Sequence, residues 1–275
     1  MKDIPLGKKT NYKFKYDRDL LVKIPRSIGR EAIGLSNSGL PFQGVDIWNC
    51  YEVCWLNENG VPQVRILTIY VDCSSFYIVE SKSLKLYLNS FSNQRFNSQS
   101  EVLSIIKNDL SELLNLEIDV FLKKLSHCKD RVLTSFDGQS IDSIKDVIIL
   151  DYNVNKNLLS IENNDIVQEE LCSDLLKSNC LVTNQPDWAS VYIKYKGRKI
   201  DHKSLLKYII SYRNHSEFHE QCVEHMFADI MEMCFPAELT IYAKYTRRGG
   251  IDINPFRSSI AYNISEIDQR RLVRQ

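Results

Sequence analysis

The chain reads as an α+β protein built on antiparallel sheet. Short runs with strand-like alternation are bounded by turn residues, and helical spacing at three and four appears in paired blocks. The order strand, strand, helix, helix, strand, strand occurs twice along the 275 residues. That order favours an antiparallel sheet with paired helices on one face, a duplication of architecture rather than of visible sequence.

In the first half, the stretch up to about Leu40 is polar and irregular, broken by Pro5, Pro25 and several glycines. From Val45 the pattern turns to β, with Ile47, Asn49, Tyr51, Val53 and Trp55 on one side and Trp48, Cys50, Glu52 and Cys54 on the other. Asn57-Glu58-Asn59-Gly60 is a turn and Gln63 to Val71 the returning strand. A strand-like run ends near Glu80, and a short helix begins at Ser81 or Ser83 with Leu84, Tyr87, Leu88 and Phe91 as its apolar face. A second helix starts near Gln99, its stripe formed by Val102, Ile105, Ile106, Leu110, Leu113 and Leu114. Strands follow at Ile118 to Leu122 and Val147 to Tyr152.

In the second half, Ile161 to Ser178 carries Val167, Leu171, Leu175 and Leu176 at helical spacing. Val191 to Tyr195 alternates as a short strand, and Lys196-Gly197 begins a turn. Two helices are predicted over Lys203 to Tyr212 and Ser216 to Met233, the second ended by Pro236. Leu239 to Thr246 alternates as a strand, and another follows Pro255.

Composition excludes several classes. Hydrophobic residues make up 44% and charged ones 25%, so a substantial core is expected. Lys+Arg and Asp+Glu are both 35, which leaves no electrostatic footprint for non-specific nucleic-acid binding. The amino terminus, with Lys2, Lys8, Lys9, Lys13 and Lys15, lacks the apolar run of a signal peptide, and no stretch approaches a membrane span. Eight irregularly spaced cysteines without a Cys-x-x-Cys read as reduced thiols of a cytoplasmic protein.

The chemistry centres on Ser178 to Ala189, where Cys180 precedes Asp187 with a Gln-Pro turn between them. Folding back at that turn brings a thiol and a carboxyl to one small volume, a pair suited to sulfur adding to a carbon while an acid protonates its neighbour. The alternatives are a buried apolar thiol and a plain turn aspartate. The helix start at Ser81, beside Lys82 and Lys85, suits an anion, unless Ser81 merely caps the helix. Glu220, following His219 at another helix start, either complements the dipole or accepts two hydrogen bonds from a guanine-like edge. His225 follows His219 by six residues rather than the His-Glu-x-x-His spacing, so no metal is expected. Arg247-Arg248-Gly249-Gly250 suits phosphate, or is a basic surface turn. No Gly-x-Gly-x-x-Gly occurs, so a Rossmann site is unavailable.

Taken together, Phe42 to Asn49, Glu80-Ser81-Lys82-Ser83-Leu84-Lys85-Leu86-Tyr87, Ser178 to Ala189, Glu217 to Cys222 and Tyr245 to Pro255 resemble the 7-cyano-7-deazaguanine reductases, NADPH-dependent nitrile reductases of queuosine biosynthesis, in their long tandem-domain form. Leu181 stands where short-form members tend to carry proline. The resemblance implies two tunnelling-fold domains, over 1–158 and 159–275, with a soft boundary between Lys129 and Glu169 that matches no motif. It implies Cys180 as nucleophile, Asp187 as proton donor and His219 as orienting and proton-moving group. Glu80, Ser81, His219 and Glu220 would bind substrate in a site lying between the domains. Ser81, Lys82, Arg248 and Gly249 would contact NADPH. It also implies a homodimer acting on a small 7-deazapurine, without direct contact to nucleic acid or membrane. Two other classes stay in view, a cyclohydrolase-like enzyme of the same fold, which needs a zinc site, and a silent purine-binding module.

Overall fold

Alternating and periodic side chains fold into an α+β architecture in the computed structural model, which describes residues 13, 15–36, 38–128, 133–267 and 269–275. Lys2, Pro5, Lys8, Lys9 and Lys129 lie outside the described residues. In chain order the elements are β1 (Lys23–Pro25), α1 (Ser27–Ala32), β2 (Gln43–Leu56), β3 (Pro62–Asp72), β4 (Tyr77–Val79), α2 (Ser81–Ser90), α3 (Gln99–Leu114) and β5 (Asp119–Lys124). There follow β6 (Leu133–Thr134), β7 (Gln139–Ser140), β8 (Ile161–Asn179), β9 (Pro186–Ile200), α4 (His202–Ser211), α5 (His219–Cys234), β10 (Glu238–Tyr245), β11 (Ile251–Ser258) and β12 (Arg271–Leu272). Among the described residues no helix is long and apolar enough to cross a membrane.

The chain forms two compact units. The first comprises Met1–Ile28, Asp46–Val132 and Arg247–Ile253; the second comprises Gly29–Val45, Leu133–Thr246 and Asn254–Gln275.

In the first unit β2 and β3 form the predicted hairpin, closed where the Asn57 side chain accepts from the N–H groups of Asn59 and Val61. β5 pairs antiparallel with β3, Thr68 opposite Phe121. Helices α2 and α3 bury Leu84, Tyr87, Phe91, Val102, Ile106 and Leu110 in one cluster with Trp55, Leu67 and Ile69 of the sheet. Each such side chain contributes about 1.5–3 kcal/mol on burial. Ser98 caps α3 by accepting from the Glu101 N–H at 3.1 Å, and Asn115 ends it in a left-handed conformation.

Trp48 and Cys50 join Val53 and Trp55 in a single core cluster, so the inward parity of β2 changes between Cys50 and Val53 instead of alternating throughout. Glu52, between them, is exposed. Val147 to Tyr152, which belongs to the second unit, is not a strand: Ile148 and Leu150 are 72% and 92% exposed, and an apolar run without a pairing partner stays irregular.

The second unit reads β8, β9, α4, α5, β10, β11, two strands, two helices and two strands, with an outer strand, β7, added beside β8. α4 packs on β8, and α5 packs on β10 and β9. β9 pairs antiparallel with both β8 and β10. Here the period of Ile161 to Ser178 was misleading, because the stretch is a strand of 19 residues and not a helix. Leu171 and Ser173 are buried two apart, the register then shifts between Ser173 and Leu176, and Leu176 and Ser178 are buried two apart again. A bulge in the middle of a period-2 pattern leaves apolar residues four and five apart, which imitates a helix. β9 is likewise a 15-residue strand that runs through Lys196 and Gly197 without turning. A Cβ on Gly197 would come within 2.9 Å of the Pro236 backbone, so close approach rather than a turn explains this glycine. β11 begins at Ile251, ahead of Pro255.

Buried charge holds α5 in place. Glu224 is 1% exposed, and its carboxylate accepts from Arg30 through Nε and Nη2, both at 2.8 Å, and from Arg257 Nη2 at 2.8 Å. Removing the carboxylate would leave two guanidinium groups buried without their anion. Glu224→Ala is expected to lower the unfolding free energy by about 3–5 kcal/mol, measured by urea denaturation. A loss below about 1 kcal/mol would show that the cluster is structurally incidental.

Candidate active site

β8 carries Cys180 at its end, and the pairing of β8 with β9 brings Asp187 back towards it. Ser178 lies opposite Asp187 in the register, and Cys180 is two residues further on. The reversal is tight: the Cys180 N–H donates to the Gln185 carbonyl at 2.8 Å, and the Asn184 N–H donates to the Cys180 carbonyl at 2.9 Å. The turn is therefore made by Leu181 to Asn184, with Asn184 at φ 55°, while Pro186 opens β9 and is not itself the turn. Asn and Pro suit those two places, the one tolerating left-handed backbone and the other needing no N–H at a strand start.

The second wall of the site is the start of α5. The Asn179 N–H donates to the His215 carbonyl at 2.8 Å, and the Glu217 N–H donates back to the Asn179 carbonyl at 3.1 Å. These two bonds tie the approach to α5 directly to the residue before Cys180. His219 Nε2 lies 3.4 Å from Asp187 Oδ2, within ion-pair range. The imidazole stacks on Tyr245, with ring centroids 3.8 Å apart and planes 3° from parallel. Its Nδ1 is buried without a hydrogen-bond partner, leaving a donor or acceptor position for a ligand. Cys180, Asp187, His219 and Glu220 are 4%, 3%, 9% and 2% exposed.

Tyr245, Ser178 and Cys222 were not read as site residues. Burial foremost, with Cys222 and Asp187 nearby, pushes the Tyr245 hydroxyl well above its ordinary pKa, so it stays protonated. Burial also pushes the Cys222 thiol well up, which makes it an inert packing thiol beside Ser178 and Tyr245. The alternation of β10 was legible, but no sequence signal pairs its last residue with a histidine ring.

The remaining site residues lie in the first unit. Glu80, 1% exposed, caps α2 by accepting from the N–H groups of Lys82 at 2.9 Å and Ser83 at 2.8 Å. Burial pushes its carboxyl up despite those two bonds. The expected anion place at this helix start is thus filled by Glu80 itself, and Ser81 is not the cap. Ser81 and Lys82 are half-buried on the first turn. Arg248 and Ile251 exchange backbone hydrogen bonds at 3.0 and 3.2 Å across Gly249 and Gly250, which have φ of 58° and 77°. Two consecutive positive φ values make this a hairpin turn that admits glycine readily. Lys85 is close to the turn: a Cβ on Gly249 would sit 2.8 Å from its Nζ. Within the first unit, α2 and the Arg248 turn are therefore neighbours.

If stacking is what holds His219, Tyr245→Phe, which keeps the ring and removes a buried hydroxyl without a hydrogen-bond partner, should cost less than about 1 kcal/mol. Tyr245→Ala should cost about 3–5 kcal/mol through the lost ring and the cavity left behind. Equal losses for the two variants in urea unfolding would contradict that account.

Two family profiles match the chain. One, described as nitrile reductase, 7-cyano-7-deazaguanine-reductase N-term, matches residues 12–122; the other, described as QueF-like protein, matches residues 186–263. Among solved structures, the archaeosine synthase QueF-Like in the apo form is similar over 37% of this chain and 100% of its own, at 16% identity and a TM-score of 0.32. The matched segments take in the Glu80 helix start and the Arg248 turn as well as Asp187, His219 and Glu220, and on these matches the chain belongs to the QueF family of 7-cyano-7-deazaguanine nitrile reductases.

Proposed function

We propose that the protein reduces 7-cyano-7-deazaguanine to 7-aminomethyl-7-deazaguanine, a step of queuosine biosynthesis, through a covalent thioimide on Cys180. The observation that carries this reading is the convergence of the β8–β9 reversal with the start of α5, where Asp187 pairs with His219 two strand positions from Cys180. A nitrile carbon is a weak electrophile, so direct hydride addition is difficult. Cys180 sulfur adds to that carbon, the C≡N bond loses one π bond, and Asp187 delivers the proton to nitrogen. One hard step becomes two easier ones. Bound NADPH would supply hydride chemistry here, one equivalent for each of two reductions; between them Cys180 leaves as thiolate, the C–S bond breaking as the C=N bond of the imine forms. His219, oriented by its stack, moves protons to nitrogen as the amine forms. The near-complete burial of these groups favours exclusion of water, which would otherwise hydrolyse the imine.

Glu80 and Glu220 are proposed to accept from the ring N–H and exocyclic amino group of the deazaguanine. For NADPH the fit rests on basic side chains, because the helix N–H groups of α2 are already taken by Glu80. Lys82, Lys85 and Arg248, gathered around the start of α2 and the Gly249 turn, suit the phosphates, with Ser81 and Gly249 beside them. The functional form is proposed to be a cytoplasmic homodimer.

Incubation with 7-cyano-7-deazaguanine in the absence of NADPH should add the mass of one ligand to the intact chain, and Cys180→Ala should abolish the adduct. Asp187→Asn should slow adduct formation by about 10²–10⁴-fold. An unmodified wild-type mass sinks the thioimide. In turnover, two NADPH should be oxidised per amine formed, whereas a ratio of one would contradict the four-electron scheme.

A further inference from the structure

A second group of titratable side chains lies in the second unit, on the 215–217 segment and on α5. His215, Glu217 and His225 each offer one donor atom, and the three atoms lie within 4.8 Å of one another. His219 and His225 lack the His-Glu-x-x-His spacing; the histidine that lies near His225 and Glu217 is His215, which precedes α5.

We propose that His215, Glu217 and His225 form a binding site for one divalent transition metal of the zinc type, with water in a fourth position. Four observations support it. First, His215 Nε2 lies 3.0 Å and His225 Nδ1 3.3 Å from Glu217 Oε1. Ligand bonds of about 2.0–2.2 Å at tetrahedral angles put donor atoms about 3.3–3.6 Å apart; the two distances to Glu217 lie near that range, and the two histidine nitrogens, within 4.8 Å of each other, would close on a bound ion. Second, His215 Nε2, His225 Nδ1 and Glu217 Oε2 are buried without an aligned hydrogen bond, so the close contacts do not satisfy the groups that make them. Third, His225 has a carboxylate on its other nitrogen: Nε2 lies 3.6 Å from Asp229 Oδ2, and Asp229 is held by the Tyr208 hydroxyl at 2.7 Å. At 3.6 Å this is an ion-pair contact and not a hydrogen bond, so the carboxylate supports the imidazole by charge. Fourth, a cleft of roughly 760 Å³ lined by His215, His225, Asp229 and Glu232 supplies an entry path and room for water.

The backbone is already organised: His215 and Glu217 are both bonded to Asn179, and His225 projects from α5. A metal here would clamp the approach to α5 against the residue before Cys180. Two nitrogens and one carboxylate oxygen suit Zn²⁺, Co²⁺ or Ni²⁺ better than Ca²⁺ or Mg²⁺.

Chelator-treated full-length protein titrated with Zn²⁺ in a calorimeter tests the site independently of nitrile reduction. Wild type and Cys180→Ala should each bind one equivalent. His225→Gln and His215→Gln should weaken that binding by about 100-fold or more, with circular dichroism confirming that each is folded. The Co²⁺ form of the wild type should show weak visible bands without thiolate charge transfer, a readout that needs no variant. The proposal is overturned by absence of binding in the wild type, by unchanged binding in folded histidine variants, or by a thiolate spectrum or loss of binding in Cys180→Ala, either of which would assign the metal to sulfur.

Discussion

The buried carboxylate of Glu224 is the constraint on which the second unit depends. A carboxylate removed from water is tolerable only if its lone pairs are met by charge, and two guanidinium groups do so here from different parts of the chain. Arg30 comes from α1 and Arg257 from β11, so one helix residue ties α5 to both. Arg257 also donates to the Phe256 carbonyl at 2.9 Å. Beside that carbonyl a Cβ on Gly44 would approach to 2.0 Å, so only glycine lets β2 pass there. With α5 fixed in this way, the position of its first residues follows, and those residues are His219 and Glu220.

The catalytic candidates occupy positions where strand pairing and helix start meet, and each is held by a neighbour, backbone or ring. Cys180 is held by two bonds in a tight reversal, Asp187 by the register of β8 and β9, and His219 by a ring stacked beneath it. Preorganisation of this kind reduces what must be rearranged when charge develops on a reacting nitrogen. It also explains why a phenol far along the chain belongs to the site: Tyr245 supplies a flat, buried surface and stays uncharged.

Polar residues inside the sheets follow one physical rule, that a buried donor must meet an acceptor. In the first unit Asp252 accepts from Asn49 Nδ2 and the Tyr51 hydroxyl, each at 2.8 Å, and Thr68 donates to Asn49 at 3.1 Å. This ladder crosses three strands and explains why Asn49 and Asp252 sit at strand positions where apolar residues would be expected. Such residues blur the hydropathy pattern, because a satisfied polar side chain packs inward just as an apolar one does.

That blurring separates what was legible from what was not. The hairpin around Asn57 to Gly60, the helices at Ser81 and Gln99 and the pair α4 and α5 were readable, since each follows from local periodicity and its caps. The reversal between Cys180 and Asp187 was readable from the turn residues between them, whereas spacing alone left their chemical roles open. The 161–179 strand was not, because a bulge after Ser173 replaced period two with a spacing that a helix also produces. The capping role of Glu80, the Tyr245 stack and the His215–Glu217–His225 group were also out of reach. By itself, the sequence determined which segments bury an apolar face and which residues could carry chemistry, because those properties belong to neighbours along the chain. Only the tertiary structure decided which distant groups share a charge or a ring face, because side chains bond through space and their partners are chosen by packing.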